Sequence, residues 1–109
     1  MNQREQNFRP KRRDRLYIIA EILEIATEGT LKTQIMYGAN LSFTQLNDYL
    51  RFTLNIGLLK KNKRDGRDVY KTTEKGMAFL ERYREITQLL KTESGNGIKI
   101  PPPHLLKRN

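Results

Sequence analysis

Five basic side chains lie close together in the middle of the chain, where they could neutralise the phosphates of a nucleic acid. The segment 60–68 holds five basic and two acidic residues, a net charge of +3. Basic residues release condensed counterions when they contact phosphates, and this release drives much of DNA binding. The alternative is that the lysines only keep an exposed hairpin soluble and protect its edges. The candidate phosphate contacts here are Lys61, Lys63, Arg64 and Arg67, with Lys60 beside them.

Most of the remaining positive charge lies near the two termini. The whole chain has a formal charge of +9, of which residues 1–13 carry +4 and residues 94–109 carry +3, whereas residues 14–59 carry −2. Charge concentrated on projecting segments favours a polyanionic partner over a role in solubility alone. We interpret residues 1–13 as a flexible basic arm, or else a terminus without a role. Its candidate phosphate contacts are Lys11, Arg12 and Arg13, to which Lys32 is added from the predicted second helix.

Polar side chains between Ser42 and Gly57 could read the edges of bases. We expect base contacts from the first turns of a helix that begins after Ser42, as in helix-turn-helix proteins. Asp48 on the same face could accept a hydrogen bond from a cytosine amine or orient a neighbouring arginine. The alternative for these side chains is an ordinary solvated helix face. The candidate base contacts are Ser42, Thr44, Gln45 and Arg51.

The reactive side chains of this chain do not form a catalytic or metal-binding set. Cysteine is absent, and His104 is the only histidine, without obvious partners in a proline-rich segment. No glycine motif of the phosphate-binding type is present. The sequence therefore predicts no enzyme, no cofactor, no metal site and no small-molecule substrate.

The helix that must present the candidate base contacts has clear start and stop signals. Ser42 and Gln45 form a Ser-x-x-Gln capping box, and Gly57 can end the helix in a left-handed conformation. Its apolar residues recur at intervals of three and four, which predicts one buried face. Those residues are Phe43, Leu46, Leu50 and Leu54.

Two shorter patterns predict the helices in front of it. Asp14 is a plausible N-cap for a first helix from Arg15 to about Thr27, whose wide apolar stripe indicates core packing. Thr30 is expected to cap a second helix over Leu31–Tyr37. A short helix, a turn with glycine and a capped longer helix form the helix-turn-helix pattern.

A basic hairpin and a last helix follow. Asp65-Gly66 between the strand-like runs 58–63 and 68–73 predicts the hairpin, with Leu59 and Val69 facing the core. Thr72 or Thr73 can cap the last helix. Its apolar residues at heptad spacing predict pairing with a second copy, and the alternative is packing on the first helix. The predicted dimerisation residues are Phe79, Tyr83, Ile86 and Leu90.

These elements predict a mainly α fold with a small β-hairpin, a winged helix-turn-helix with a C-terminal dimerisation helix. The expected organisation is an arm (1–13), the winged helix-turn-helix (14–73), a coiled-coil-type helix (74–93) and a Pro-rich basic tail (94–109). No apolar run is long enough to span a bilayer, and no signal peptide is recognisable. We expect a cytoplasmic, nucleoid-associated protein that does not contact membranes.

Three runs of residues resemble one archaeal family. They are I-M-Y-G-A-N-L-S-F-T-Q-L-N-D-Y-L (35–50), I-G-L-L-K-K (56–61) and Y-K-T-T-E-K-G-M-A-F-L (70–80). They resemble the archaeal winged-helix family that includes the ten-kilodalton DNA-binding chromatin proteins. The resemblance implies a recognition helix over Ser42–Ile56, a wing over 60–68 and an antiparallel coiled-coil homodimer through Phe79–Leu90. It also implies binding to double-stranded DNA in a regulatory or architectural role.

The rival function is a winged-helix adaptor that joins proteins without specific DNA binding. In that case the predicted dimerisation residues and the tail would carry the function. RNA binding is disfavoured because the predicted sheet lacks an exposed aromatic platform for stacking single-stranded bases.

Overall fold

A computed structural model describes residues 14–91 of the chain. Four helices pack with a three-stranded antiparallel sheet whose strand order is β1-β3-β2. The elements in chain order are α1 (Arg15–Ile25), β1 (Thr30–Leu31), α2 (Lys32–Gly38), α3 (Phe43–Asn55), β2 (Leu59–Arg64), β3 (Arg67–Thr72) and α4 (Glu74–Leu89). The predicted arm and Pro-rich tail lie outside the described residues.

Helix α1 begins where the sequence predicts but ends earlier. The Asp14 carboxylate accepts a hydrogen bond from the Tyr17 backbone N–H at 2.8 Å, which caps the first turn. The helix stops at Ile25 rather than near Thr27. At that end the Ala26 carbonyl accepts from the backbone N–H of Gly29 and of Thr72, both at 3.0 Å. The end of α1 is therefore hydrogen-bonded to β3.

The segment before α2 forms a strand that the sequence prediction missed. Thr30 pairs with Tyr70 and Leu31 with Val69, which adds β1 to the far side of β3. The prediction that Thr30 caps the second helix is therefore wrong, because the N-cap position is Leu31 and α2 runs over Lys32–Gly38. The Gln34 side chain accepts from the Leu31 backbone N–H at 2.9 Å and stabilises this start.

Helix α3 follows the predicted capping box. The Ser42 hydroxyl accepts from the Gln45 backbone N–H at 3.1 Å, and the Gln45 amide oxygen accepts from the Ser42 N–H at 2.9 Å. Leu46 and Leu50 are buried in the core, as predicted. Phe43 was placed on the same buried face but is 63% exposed, because it opens the helix at the margin of the core.

The hairpin has the predicted turn and a strictly paired register. Asp65 and Gly66 both have positive φ, at +52° and +78°, which is the geometry of a type I′ turn. Leu58 and Leu59 are buried in the core cluster, together with Tyr70. Val69 is also buried, as predicted, but it lies on the opposite face of β3 from Tyr70 and outside the main core cluster.

Helix α4 packs against α1 and closes the core. The Thr73 hydroxyl caps it by accepting from the Gly76 backbone N–H at 3.0 Å. Leu80 is buried, and Arg84 forms an ion pair with Glu24 of α1. Within residues 14–91, none of the helices combines the length and apolar character required to cross a bilayer.

Candidate nucleic-acid interface

The outer face of α3 presents the four predicted base-contacting side chains to solvent. Ser42, Thr44, Gln45 and Arg51 are all exposed. Because the cap engages the Ser42 oxygen and the Gln45 amide oxygen as acceptors, the Gln45 NH₂ group and the Ser42 hydroxyl proton remain available as donors. The first turn of α3 therefore presents mainly hydrogen-bond donors, which suit base acceptors and phosphates.

Arg51 is held by Asp48, one of the two arrangements that the sequence suggested. The Arg51 Nη1 atom lies 3.1 Å from the Asp48 Oδ1 atom, and both side chains are exposed. An exposed ion pair contributes only about 0–1 kcal/mol, so Arg51 can leave Asp48 for a stronger anionic partner. Asp48 orients the guanidinium along α3 without fixing it.

Lys32 lies beside the start of α3. Its ammonium nitrogen is 5.4 Å from the centroid of the exposed Phe43 ring, a cation–π contact that joins the start of α2 to the start of α3. This contact brings one predicted phosphate-binding residue next to the predicted base-contacting turn. It also gives Phe43 a partner despite its exposure.

The hairpin register sorts the basic side chains onto two faces. Directly opposite residues of an antiparallel pair share a face, so Lys61 lies with buried Tyr70, and Lys63 with Asp68. Lys63 Nζ is 3.2 Å from Asp68 Oδ1. Burial raises the pKa of the Tyr70 phenol above its ordinary value of 10.0, and the nearby Asp68 carboxylate adds to this increase. This inner face continues into the core through Leu59.

The other face, which we call the outer hairpin face, carries two pairs of like charges. Arg64 lies opposite Arg67 beside the turn, and Lys60 lies opposite Lys71 four residues before Arg64. Among the described pairs of this hairpin, no acidic residue shares the outer hairpin face. Like charges placed directly opposite are destabilising, and nothing on this face offsets them.

Lys71 was missed as a candidate site residue, although the sequence contained the signal for it. A two-residue turn at Asp65-Gly66 makes Arg64 and Arg67 the first pair, and counting outward pairs Lys60 with Lys71. The sequence prediction grouped Lys60 with the other basic hairpin residues but did not pair it with a residue of the opposite strand.

A brace at the base of the hairpin connects α3, β2 and α4. Gly57 follows α3 with a φ of +81° and reverses the chain. The Lys75 ammonium donates to the Ile56 carbonyl at 2.6 Å, and the Thr73 hydroxyl donates to the Gly57 carbonyl at 2.6 Å. These bonds hold the end of α3 and the start of the hairpin to the first turn of α4.

The predicted dimerisation residues divide into two halves. Phe79 and Tyr83 are partly buried against the core, with stacked rings whose centroids are 6.2 Å apart. Burial raises the pKa of Tyr83, and the Asp14 carboxylate and Tyr17 add to the increase. Ile86 and Leu90 remain exposed, as does Leu89 at 82%. In the described part of the chain, only Ile86 and Leu90 of the four predicted dimerisation residues are therefore exposed enough to contact another surface.

Three of the predicted phosphate contacts come from the arm before α1. Lys11, Arg12 and Arg13 lie outside the described residues. Within residues 14–91, no group of three or more His, Cys, Asp or Glu side chains could hold a metal ion.

Comparison with known proteins places this geometry among related folds. A family model described as winged helix-turn-helix matches residues 12–91. An uncharacterized protein of Methanocaldococcus jannaschii is 33% identical over 93 residues, which cover 84% of this chain and 91% of that protein. A second uncharacterized protein of that organism is 38% identical over 80 residues, and the match spans 72% of this chain but only 36% of the relative.

Solved structures share the same arrangement. The crystal structure of Sso10a-2, a DNA-binding protein from Sulfolobus solfataricus, aligns with a TM-score of 0.64 at 26% identity, over 71% of this chain and 81% of that chain. F93 from STIV, a winged-helix DNA-binding protein, aligns with a TM-score of 0.57 at 22% identity, over 66% and 85% of the two chains. At 22% identity, the alignment with F93 shows a shared fold and nothing more.

Proposed function

This chain belongs to the winged helix-turn-helix family, and from that premise we propose that it binds duplex DNA as a homodimer. Its role is that of a transcriptional regulator or an architectural chromatin protein, located in the cytoplasm with the nucleoid. Helix α3 enters the major groove, and the hairpin contacts the flanking backbone. The observation that carries the proposal is the outer hairpin face, with its two unneutralised pairs of like charges.

A polyanion explains why this face retains its charges. Opposed like charges are destabilising, and among the described hairpin pairs neither Arg64–Arg67 nor Lys60–Lys71 has an acidic neighbour on the outer hairpin face. A phosphate backbone would convert both repulsive pairs into attractive contacts. Solubility alone needs no such arrangement, because lysines alternating with acidic residues serve that purpose.

The contacts divide into two chemical classes. Phosphate contacts come from Lys60, Arg64, Arg67 and Lys71 on the outer hairpin face and from Lys61 and Lys63 on the inner face. Further phosphate contacts come from Lys32 beside α3 and from Lys11, Arg12 and Arg13 before α1. Base contacts come from Ser42, Thr44, Gln45 and Arg51 on the exposed face of α3. Phosphate contacts fix register and most of the affinity, whereas base contacts decide sequence preference.

Dimerisation is assigned to α4. Ile86, Leu89 and Leu90 form an exposed apolar end on this helix, and a second copy of the same end would cover them. Phe79 and Tyr83 extend the contact as far as their partial burial allows. A two-fold dimer would present two recognition helices to successive major grooves, about 34–36 Å apart.

The DNA proposal is tested by a salt titration with a charge-matched control. Fluorescence anisotropy on a 30-base-pair duplex is followed between 50 and 200 mM salt for the wild type and for Arg64→Ala/Arg67→Ala. Each lost phosphate contact should lower the slope of log K against log salt by about 0.9, so the double variant should lose about 1.8. The control Arg82→Ala/Lys91→Ala removes one cation from α4 and one just after it, and should leave the slope unchanged.

The same experiment identifies the rival function. No binding by the wild type at 50 mM salt would overturn the proposal in favour of a protein-interaction adaptor, which the exposed apolar end of α4 would then serve. An equal loss in both variants would show that net charge, and not the hairpin, attracts DNA.

The homodimer is tested separately by sedimentation equilibrium. Leu89→Ser/Leu90→Ser should shift the mass from dimer to monomer, whereas Tyr37→Ser, which also removes an exposed apolar side chain, should not. A wild-type monomer at all accessible concentrations would remove the two-recognition-helix arrangement but leave hairpin binding intact.

A further inference from the structure

A half-open groove runs between α1 and the recognition helix. Its volume is about 550 Å³, within the range of roughly 300–1,000 Å³ that is typical of small-molecule sites. Two of its large apolar side chains, Leu16 and Phe52, are 54% and 47% exposed. The main lining residues are Arg15, Leu16 and Ile19 from α1 and Asp48, Tyr49 and Phe52 from α3.

Two polar groups of this groove, on Arg15 and Gln45, are available as donors. In residues 14–91, the Arg15 guanidinium has no carboxylate within ion-pair distance. Gln45 also lines the groove, and its amide oxygen is used by the cap, so its NH₂ group is available. Asp48 is already paired with Arg51 at 3.1 Å. The groove thus combines apolar walls with an unneutralised cation at its α1 side.

We propose that this groove binds a small aromatic carboxylate that acts as an effector. The ring lies between Leu16, Tyr49 and Phe52, and the carboxylate pairs with Arg15. Planar rings match a groove walled by two aromatic side chains and a branched aliphatic one, and a guanidinium offers two parallel donors to a carboxylate. The size, the apolar walls and the free guanidinium together select this ligand class over a neutral or cationic one.

Occupancy should weaken DNA binding, a consequence that rests on the proposed function. Gln45 and Asp48 belong both to the groove and to the exposed face of α3. An anion bound beside that face adds negative charge where phosphates must approach, so ligand and DNA disfavour each other. The coupling is reciprocal by linkage, and DNA should lower the affinity for the carboxylate by the same factor.

The binding site is tested without DNA, so that its failure is separate from failure of the proposed function. Benzoate is titrated into the full chain and followed by ¹H–¹⁵N NMR, with benzamide as the neutral analogue of the same shape. We expect saturable shifts of backbone amides in residues 15–19 and 45–52. The Arg15 side chain is exposed and its ion pair is weakened by solvent, so benzamide should bind about threefold to fivefold more weakly.

Variants separate the carboxylate contact from the apolar contact. Arg15→Gln should weaken benzoate about threefold to fivefold and leave benzamide unchanged, because only the exposed ion pair is lost. Phe52→Ala should weaken both ligands, and Arg82→Gln on α4 should weaken neither. Thermal unfolding followed by circular dichroism confirms that each variant is folded.

Four outcomes would overturn the proposal. They are shifts that do not saturate, equal binding of benzoate and benzamide, an unchanged affinity in Arg15→Gln, and benzoate shifts confined to the hairpin cations. If the groove amides shift on dilution, the groove is occupied by a second copy of the chain. If they shift on deletion of residues 1–13, it is occupied by the arm.

Discussion

The Thr72 hydroxyl at the end of β3 donates a hydrogen bond to the carbonyl of Leu23 in α1, over a distance of 2.7 Å. The two residues are 49 positions apart in the sequence, and both are buried. With the Thr72 backbone N–H donating to the Ala26 carbonyl at 3.0 Å, the contact fixes the end of the hairpin against the first helix. These buried contacts at the base of the hairpin therefore help to set the direction of its basic tip.

Removing this hydroxyl should destabilise the domain. We expect Thr72→Val to lower the free energy of unfolding by about 1 kcal/mol, since a buried hydrogen bond is lost at nearly constant shape. Urea unfolding followed by circular dichroism measures the change. Thr27→Val is the matched control, because the Thr27 hydroxyl donates to the same Leu23 carbonyl at 3.0 Å but only within its own helical turn. A larger cost at Thr27 would contradict the role assigned to Thr72.

Two glycines should respond differently to the same substitution. A Cβ atom at Gly76 would overlap the backbone carbonyl oxygen of Leu58 and lie 2.6 Å from Thr72 Cγ2, so α4 would have to move away from the hairpin base. At Gly38 the overlap is with the tip of the Ile25 side chain at 2.8 Å, which can rotate.

We therefore expect Gly76→Ala to cost at least about 2 kcal/mol of unfolding free energy, as overpacking typically does. Gly38→Ala should stay within about 1 kcal/mol, because a better helix former offsets a small adjustment. Differential scanning calorimetry measures both. Equal melting temperatures for the two variants would show that α4 is not packed on the hairpin base as described.

Asp48 should limit binding to DNA of arbitrary sequence. Asp48→Asn removes a negative charge from the face of α3 and frees Arg51 from its 3.1 Å partner. We expect a several-fold gain in affinity for mixed-sequence duplex at low salt, since one repulsive charge near phosphates and one competing ion pair are both removed.

The measurement is anisotropy on several duplexes of different sequence. Glu81→Gln, which removes an exposed carboxylate from α4, is the control and should have little effect. A loss of affinity in Asp48→Asn would mean that Asp48 itself accepts a hydrogen bond from a base.

The buried phenol of Tyr70 should make the domain sensitive to alkali. Burial, with a contribution from Asp68, raises its pKa above 10.0, so the folded state holds the phenolic proton more tightly than the unfolded state. This stabilisation is complete below pH 10 and is lost as the pH rises through the folded-state pKa. Tyr70→Phe should therefore lose less unfolding free energy between pH 9 and pH 11 than the wild type. Tyr37→Phe, at an exposed tyrosine, should behave like the wild type.

The family and the fold class that the sequence predicted are both confirmed. The match over residues 12–91 and the alignment with the Sso10a-2 structure agree with the three runs of residues that resemble the archaeal winged-helix family. The helix caps at Asp14, Ser42 and Thr73 are where local chemistry predicts them, because each needs only a side-chain oxygen three residues before a backbone N–H. The proposed DNA contacts and the homodimer remain predictions.

Local sequence determined the caps at Asp14, Ser42 and Thr73 and the Asp65-Gly66 turn. Through that turn it also determined the pairing of Lys60 with Lys71. Only the tertiary structure decided the third strand, the exposure of Phe43 and the division of the α4 apolar residues between core and solvent. The two residues of β1 form a strand because β3 supplies their hydrogen bonds, and periodicity has no meaning over so short a span. Phe79 and Ile86 have the same apolar character in the sequence, and only the position of α1 buries one more than the other.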